Sequence, residues 1–275
     1  MIRAALLAIV LAGPAGAEGS SDAAARVIGL GGTVTEIVVA LGAGDRLVGR
    51  DTTSGYPPSV LALPDVGYLR QLSAEGVLSL SPDLMIAEAD AGPPEVVAQL
   101  QATGLGYVTL PQDWSADGVA ARITTVGAAL GREAEAARLA HEVSARLAET
   151  EAKAQALPAP RKRAMFVLSL QGGRIMAAGQ GTAADAVITM AGAENALQGF
   201  EGYKPVSDEA VQAAAPDVVL MMDRPAAEVL SLPAFAGSPA AQNGALLQMD
   251  GLRLLGFGPR LPDALADLQA ALSGG

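Results

Sequence analysis

The sequence contains no cysteine and only one histidine, His141, and one tryptophan in 275 residues. Without cysteine, disulfide bonds and thiolate-bound zinc or iron–sulfur sites are excluded, and so is any metal site that needs two histidines. Basic residues are also scarce: 18 Lys and Arg face 29 Asp and Glu, which gives a formal net charge of −11. A chain of this charge with no basic block is a poor electrostatic partner for nucleic acids or an anionic membrane.

The first seventeen residues have the pattern of a cleaved signal peptide. Arg3 precedes the apolar run Ala4–Ala12, and the small residues Ala15-Gly16-Ala17 follow as a cleavage site. A run of nine residues, at 1.5 Å per residue, is too short to cross a hydrocarbon core of about 30 Å. No cysteine is present for lipid attachment. We therefore expect residues 1–17 to be removed and the protein to be an unanchored component of the periplasm of a two-membrane bacterium.

One pattern occurs twice, 134 residues apart, and joins a serine, a glutamate and a valine to a Pro-Asp pair and a continuous apolar run. The copies are Ser73-x-Glu75-x-Val77 with Pro82-Asp83 and Leu84–Ala87, and Ser207-x-Glu209-x-Val211 with Pro216-Asp217 and Val218–Met222. Each copy predicts a short helix with serine as the N-cap and glutamate in the first turn, followed by a buried parallel strand. Taken alone, the pattern favours Glu75 and Glu209 as ordinary first-turn charges.

The flanking segments predict two related α/β lobes, residues 18–115 and 158–275. In each lobe, a strand signal leads into a Gly-Thr turn, a helix that stops at a glycine, and a Tyr-Pro loop. In the first lobe the strand is Arg26–Leu30 and the loop is at Tyr56-Pro57. In the second the strands are Ala164–Leu170 and Arg174–Ala178 and the loop is at Tyr203-Lys204-Pro205. The fold class is therefore α/β.

Residues 116–157 have helical spacing and no strand signal, and they predict a bridging helix between the lobes. Gly127 and Gly131 indicate one break, beyond which Ala136, Leu139, Ala140, Val143 and Leu147 form an apolar stripe. Twenty-five helical residues would be about 37 Å long, and the helix ends at Leu157-Pro158 because proline cannot continue it. Such a spine allows only small lobe movements.

Catalytic motifs are absent. The sequence has no GxSxG nucleophile elbow and no GxxxxGK[ST] phosphate loop. His141 lies off the apolar stripe of the predicted helix, where a solvated position is expected. A secreted α/β enzyme, the alternative from another functional class, would have to depend on this one histidine. We therefore expect a protein that is not an enzyme.

Tyr68 and Arg70 stand out in the segment Val66–Ser73, just ahead of the first repeated glutamate. In an extended loop, residues i and i+2 point to the same side, which places the Arg70 guanidinium near the Tyr68 hydroxyl. A nearby cation favours the phenolate, a hard oxygen ligand suited to Fe(III) and known as an axial ligand of haem iron. The alternative is a tyrosine that covers the lobe surface, with Arg70 stacked on it or paired to an acid.

The chain resembles the class III substrate-binding proteins of ABC importers, especially the periplasmic haem-binding members. The similarity runs over essentially the whole mature chain, and its most specific part is Val66–Leu80. Met221–Arg224, Met249–Leu252 and Gly256–Arg260 add to it. The resemblance implies two Rossmann-like lobes joined by a long bridging α-helix, with the ligand between the lobes.

The resemblance also implies roles for individual residues. Tyr68 would be the proximal ligand of haem iron, Arg70 would hydrogen-bond its phenolate, and Arg224 would pair with a propionate. Glu75 and Glu209, one on each lobe, would dock on arginines of an inner-membrane ABC permease dimer. The chain itself is expected to be a monomer.

Ligand number and identity follow from the same resemblance. Some relatives ligate a second, stacked haem with a histidine, but Ser169-Leu170-Gln171-Gly172 occupies that region here, so one haem per protein is expected. A ferric siderophore or a corrinoid is the alternative ligand. Arg174, Tyr203 and Arg253 are further candidates for the cleft, with no role assigned.

Overall fold

The computed structural model describes residues 26–171, 174–222 and 229–273, so the expected signal peptide, residues 1–17, and Arg224 lie outside the described residues. These ranges contain ten strands and ten α-helices. The strands are β1 Val27–Leu30, β2 Leu47–Arg50, β3 Leu84–Ala87, β4 Gly106–Thr109, β5 Arg163–Gln171, β6 Arg174–Ala178, β7 Glu194–Asn195, β8 Tyr203–Val206, β9 Val218–Met222 and β10 Leu246–Met249. The α-helices are α1 Gly32–Ala40, α2 Ala74–Leu78, α3 Pro94–Ala102, α4 Ala116–Leu130, α5 Glu133–Gln155, α6 Ala183–Met190, α7 Asp208–Ala214, α8 Pro239–Asn243, α9 Gly251–Leu255 and α10 Leu261–Ser273.

The first sheet is parallel throughout, with the strand order β2-β1-β3-β4. All residues of β1 and β3 are buried. Continuous apolar runs are typical of such strands because helices cover both faces of a parallel sheet. The apolar run predicted from the first copy of the repeated pattern is strand β3, with the same first and last residues.

The second sheet is mixed, with the order β10-β9-β5-β6-β8 and β7 paired to β5. Strand β9, predicted from the second copy of the pattern, is parallel to β5 and β10, whereas β6 is antiparallel to both β5 and β8. The loop predicted at Tyr203-Lys204-Pro205 is wrong, since these residues belong to β8. Pro205 is tolerated there because β8 lies at the edge of the sheet.

Helices α4 and α5 connect the first sheet to the second along the chain, and the break predicted in this segment is at Gly131, whose φ of 62° ends α4. Gly127 does not break the helix: it lies inside α4, where a Cβ atom would come within 2.2 Å of the Ala136 Cβ of α5. Helix α5 has 23 residues, or about 35 Å at 1.5 Å per residue. Its predicted apolar stripe is buried or partly buried, and His141 is exposed.

One hydrophobic core joins both halves of the molecule. It contains residues of β1 and α1 from the first half, of α4 and α5, and of β5, β9, α6 and α10 from the second. Two smaller clusters complete the packing, one on the other face of each sheet. The architecture is that of two α/β lobes joined by a long helix, and the lobes share apolar packing as well as a connection.

Candidate functional site

A cleft of about 960 Å³ lies between the two lobes. Its first wall consists of the turn before α1, the segment around Tyr68 and the residues after β3, and its second wall consists of the starts of α6 and α9 together with Tyr203. Open α/β sheets bind ligands beyond the carboxyl ends of their strands. This volume is at the upper end of the range for small-molecule sites, so the cleft has room for a large ligand.

Tyr68 and Arg70 lie on the first wall, in a tight turn. The Gln71 amide donates a 2.7 Å hydrogen bond to the Tyr68 carbonyl, so the segment is not the extended loop that the sequence argument assumed. Leu69 occupies the turn between them and is buried in the core. The two side chains meet around the turn: Arg70 Nη1 donates to Tyr68 Oη over 2.6 Å.

Asp90 completes this group, and sequence reasoning missed it. Its Oδ2 atom accepts a 2.8 Å hydrogen bond from Arg70 Nε. The same atom forms an ion pair with Arg70 Nη2. Burial lowers the pKa of Arg70, but the hydrogen bond and the charge of Asp90 and the contact with Tyr68 outweigh it, and the pKa is raised above its ordinary value. Arg70 therefore contacts the tyrosine hydroxyl and pairs with an acid, which the sequence argument had treated as alternatives.

A buried ion pair forms the floor of the cleft. Arg122 of α4 is 1% exposed and contacts Glu88, with Nη2 3.1 Å from Glu88 Oε2. Arg122 Nη1 also donates to the Gly256 carbonyl of the second lobe over 2.9 Å, and Thr33 Oγ1 donates to the same carbonyl over 2.7 Å. Desolvation raises the pKa of the Glu88 carboxyl, and the charge of Arg122 only partly opposes this effect. The pair thus connects both lobes to the bridging helices.

A second polar contact between the lobes lies on α1. Glu36 is 6% exposed and accepts a 2.8 Å hydrogen bond from Arg260 Nε and a 3.1 Å bond from the Arg260 amide. The Arg260 guanidinium also lies 3.7 Å from the centroid of the Tyr56 ring. Burial raises the pKa of Glu36 despite Arg260.

Replacing Arg122 with Met should destabilise the protein by about 2–3 kcal/mol. Removing one partner of a buried ion pair costs about 3–5 kcal/mol, and we expect less here because the Glu88 side chain keeps 17% of its surface exposed to the cleft. Urea unfolding measures the change, and the loss should shrink as the pH is lowered, since protonation removes the uncompensated charge of Glu88.

The double variant Arg122→Met/Glu88→Leu is the control for this prediction. It removes both charges and should recover most of the lost stability. An equal loss in the single and double variants would show that Arg122 stabilises the fold by packing rather than through Glu88.

On the second wall, Tyr203 and Leu252 are 37% and 45% exposed. The pKa of Tyr203 is raised by burial, and contacts with the Ala184 backbone and the Thr182 side chain only partly offset this, so the phenol stays neutral. Arg253 forms an ion pair with Asp267 at 2.7 Å and does not line the cleft, and neither does Arg174, which is exposed at the start of β6.

Glu75 and Glu209 lie outside the cleft, at the exposed first turns of α2 and α7. Ser73 and Ser207 are the N-caps of these helices, as predicted, and accept hydrogen bonds from the Gly76 and Ala210 amides. Hydrogen bonds from its own amide and from Ser207 hold the pKa of Glu209 below its ordinary value. Both side chains present charge to solvent, one on each lobe.

The residues that the structure describes offer neither a metal cluster nor a membrane span. No cluster of three or more acidic or histidine side chains there has the geometry to hold a metal ion. Among the same residues, no helix combines the length and apolar character required to cross a membrane.

Comparisons with known proteins agree with the two-lobe fold. The family described as "Periplasmic binding protein" matches residues 27–251. The structure is similar to that of the periplasmic heme-binding protein BhuT in complex with two hemes, with 43% identity, a TM-score of 0.86, and 90% of this chain and 97% of that chain covered. It is also similar to the periplasmic heme-binding protein RhuT from Roseiflexus sp. RS-1 in apo form, with 38% identity, a TM-score of 0.85 and the same coverage. Over 250 residues, 90% of this chain and 79% of the relative, the sequence is 25% identical to the uncharacterized ABC transporter substrate-binding lipoprotein YvrC of Bacillus subtilis (strain 168).

Proposed function

Because the chain belongs to the periplasmic binding protein family, we propose that it binds haem in the cleft between its lobes and delivers it to an inner-membrane ABC importer. The function is that of a carrier, with the ligand unchanged by the protein. Two solved relatives that match over nearly their whole length are heme-binding proteins, which supports this ligand.

The observation that carries the proposal is the contact between Arg70 and Tyr68. A tyrosine oxygen lies at the cleft wall, 2.6 Å from a guanidinium nitrogen that holds it in place, and it is available as an oxygen ligand for a bound cation. Ferric iron in a porphyrin is such a cation, and tyrosine is one of its known protein ligands. Leu252, which is 45% exposed on the second wall, adds apolar surface against which a porphyrin would be desolvated.

The propionates need a separate partner. The two arginines among the described lining residues, Arg70 and Arg122, are paired with Asp90 and Glu88. The resemblance to haem-binding members implies Arg224 as the propionate partner, and we propose it for this role; it lies outside the described residues.

Delivery is proposed to use Glu75 and Glu209. Glu75 and Glu209 are exposed carboxylates at equivalent positions of the two lobes, each two residues after a serine N-cap, which suits a permease dimer that offers one arginine per subunit. The same proposal includes a periplasmic location, cleavage of residues 1–17, the absence of a lipid anchor and a monomeric state. The relative YvrC is named a lipoprotein, whereas no cysteine is available here for lipid attachment.

A hemin titration tests the ligand and its number. We expect a tyrosinate-type visible spectrum that saturates at one equivalent of hemin, because His141, the only histidine, is exposed on α5 and outside the cleft. The relative BhuT is described with two hemes, so saturation at two equivalents would show that a second haem needs no histidine. Tighter binding of cobalamin or a ferric siderophore in competition would overturn the choice of haem.

A further inference from the structure

Asp90 has no role in the function as proposed, yet it determines how Arg70 is held. Its Oδ2 atom binds both Nε, at 2.8 Å, and Nη2 of the guanidinium. A guanidinium is planar, so fixing one edge fixes the direction of the remaining nitrogen. That nitrogen, Nη1, is the one that donates to Tyr68 Oη.

The backbone brings the two loops together without help from these side chains. The Leu72 amide donates to the Gly92 carbonyl over 2.9 Å, and the Gly92 amide donates to the Leu69 carbonyl over 2.8 Å. Leu69 and Leu72 are each 5% exposed and anchor the turn in the core. Replacing Asp90 should therefore leave both loops in place and affect mainly the Arg70 side chain.

We propose that Asp90 is a positioning residue that orients Arg70 toward the iron-binding oxygen of Tyr68, an inference that rests on the proposed function. The Arg70 side chain is 56% exposed. Without the carboxylate it would spread over several rotamers and spend only part of its time beside Tyr68. Asp90 thus acts on the ligand only through Arg70.

A double-mutant cycle with hemin tests this proposal. Asp90→Ala should weaken hemin binding about tenfold, the lower end of the effect of residues that orient a metal ligand. In an Arg70→Ala background the same change should alter the affinity less than twofold, because Asp90 has no other route to the ligand. The matched control is Asp263→Ala, which removes an ion pair with Arg146 of similar exposure and should leave hemin binding unchanged.

An equal loss of affinity in both backgrounds, or none in the wild-type background, would overturn the proposal. A second measurement uses the ligand-free protein. The Arg70 Nε–H should give a distinct, slowly exchanging NMR signal that Asp90→Ala abolishes and Asp263→Ala does not; its persistence in Asp90→Ala would also overturn the proposal. If wild-type protein binds no hemin but this signal behaves as expected, haem carriage fails while the positioning of Arg70 by Asp90 stands.

Discussion

Replacing Tyr68 with Phe should abolish most of the hemin absorption signature and weaken hemin binding by about 100-fold or more. The change removes one oxygen and keeps the ring. Loss of a residue that only orients a metal ligand typically costs 10–100-fold, so loss of the ligand itself should cost at least as much. Visible absorption and a hemin titration measure both effects.

Tyr107→Phe is the matched control. Tyr107 is a half-buried tyrosine of β4 in the same lobe, and it does not line the cleft. Its replacement removes the same atom and should leave the hemin spectrum unchanged. If Tyr68→Phe keeps the wild-type spectrum and affinity, Tyr68 is not the iron ligand.

Reversing the charge of both carboxylates that we propose for docking, with Glu75→Lys and Glu209→Lys together, should abolish stimulation of the permease ATPase and leave hemin affinity within about twofold of wild type. The two lysines would repel the arginines that we propose on the permease, and like charges at an interface cost several kcal/mol. Neither glutamate lines the cleft, so ligand binding should not change. ATPase activity of the reconstituted importer and a hemin titration measure the two outcomes.

The control is Glu95→Lys with Glu133→Lys. These are also exposed acids in first turns, on α3 and α5, so the change in net charge and in helix-dipole contact is the same. If this control stimulates the permease ATPase fully and the Glu75→Lys/Glu209→Lys variant does not, the effect depends on where the two charges lie and not on the net charge. Unchanged stimulation by the docking variant would reduce Glu75 and Glu209 to first-turn charges that stabilise their helices.

The sequence was most informative where local chemistry decides the structure. Strands β3 and β9 could be located to the residue because a continuous apolar run bounded by Pro-Asp has few alternatives to a buried strand. The serine caps of α2 and α7 were predictable for a similar reason, since capping involves residues three positions apart. Strand β8 was missed because Tyr-Lys-Pro has turn chemistry, and only an edge position makes it acceptable in a sheet.

The site was only partly predictable. Tyr68 and Arg70 are two residues apart, so their contact could be anticipated even though the backbone between them is a turn rather than extended. Asp90 is 20 residues from Arg70, and Glu88 is 34 residues from Arg122, so these pairs exist only once the strands are assembled. A signal for both acids was nevertheless present: they lie within three residues of the end of a predicted buried strand, where ligand-facing residues of parallel sheets collect.

The contacts that hold the lobes together affect how a ligand can enter the cleft. Arg122 and Thr33 donate hydrogen bonds to the Gly256 carbonyl. Arg260 donates a hydrogen bond to Glu36, and one apolar core runs through both lobes. Swinging the lobes wide apart would break all of these contacts at once. We therefore expect the width of the cleft to stay nearly constant rather than to open and close. A cleft of fixed width favours flat molecules, which can enter edge first, and excludes thick ones by size alone.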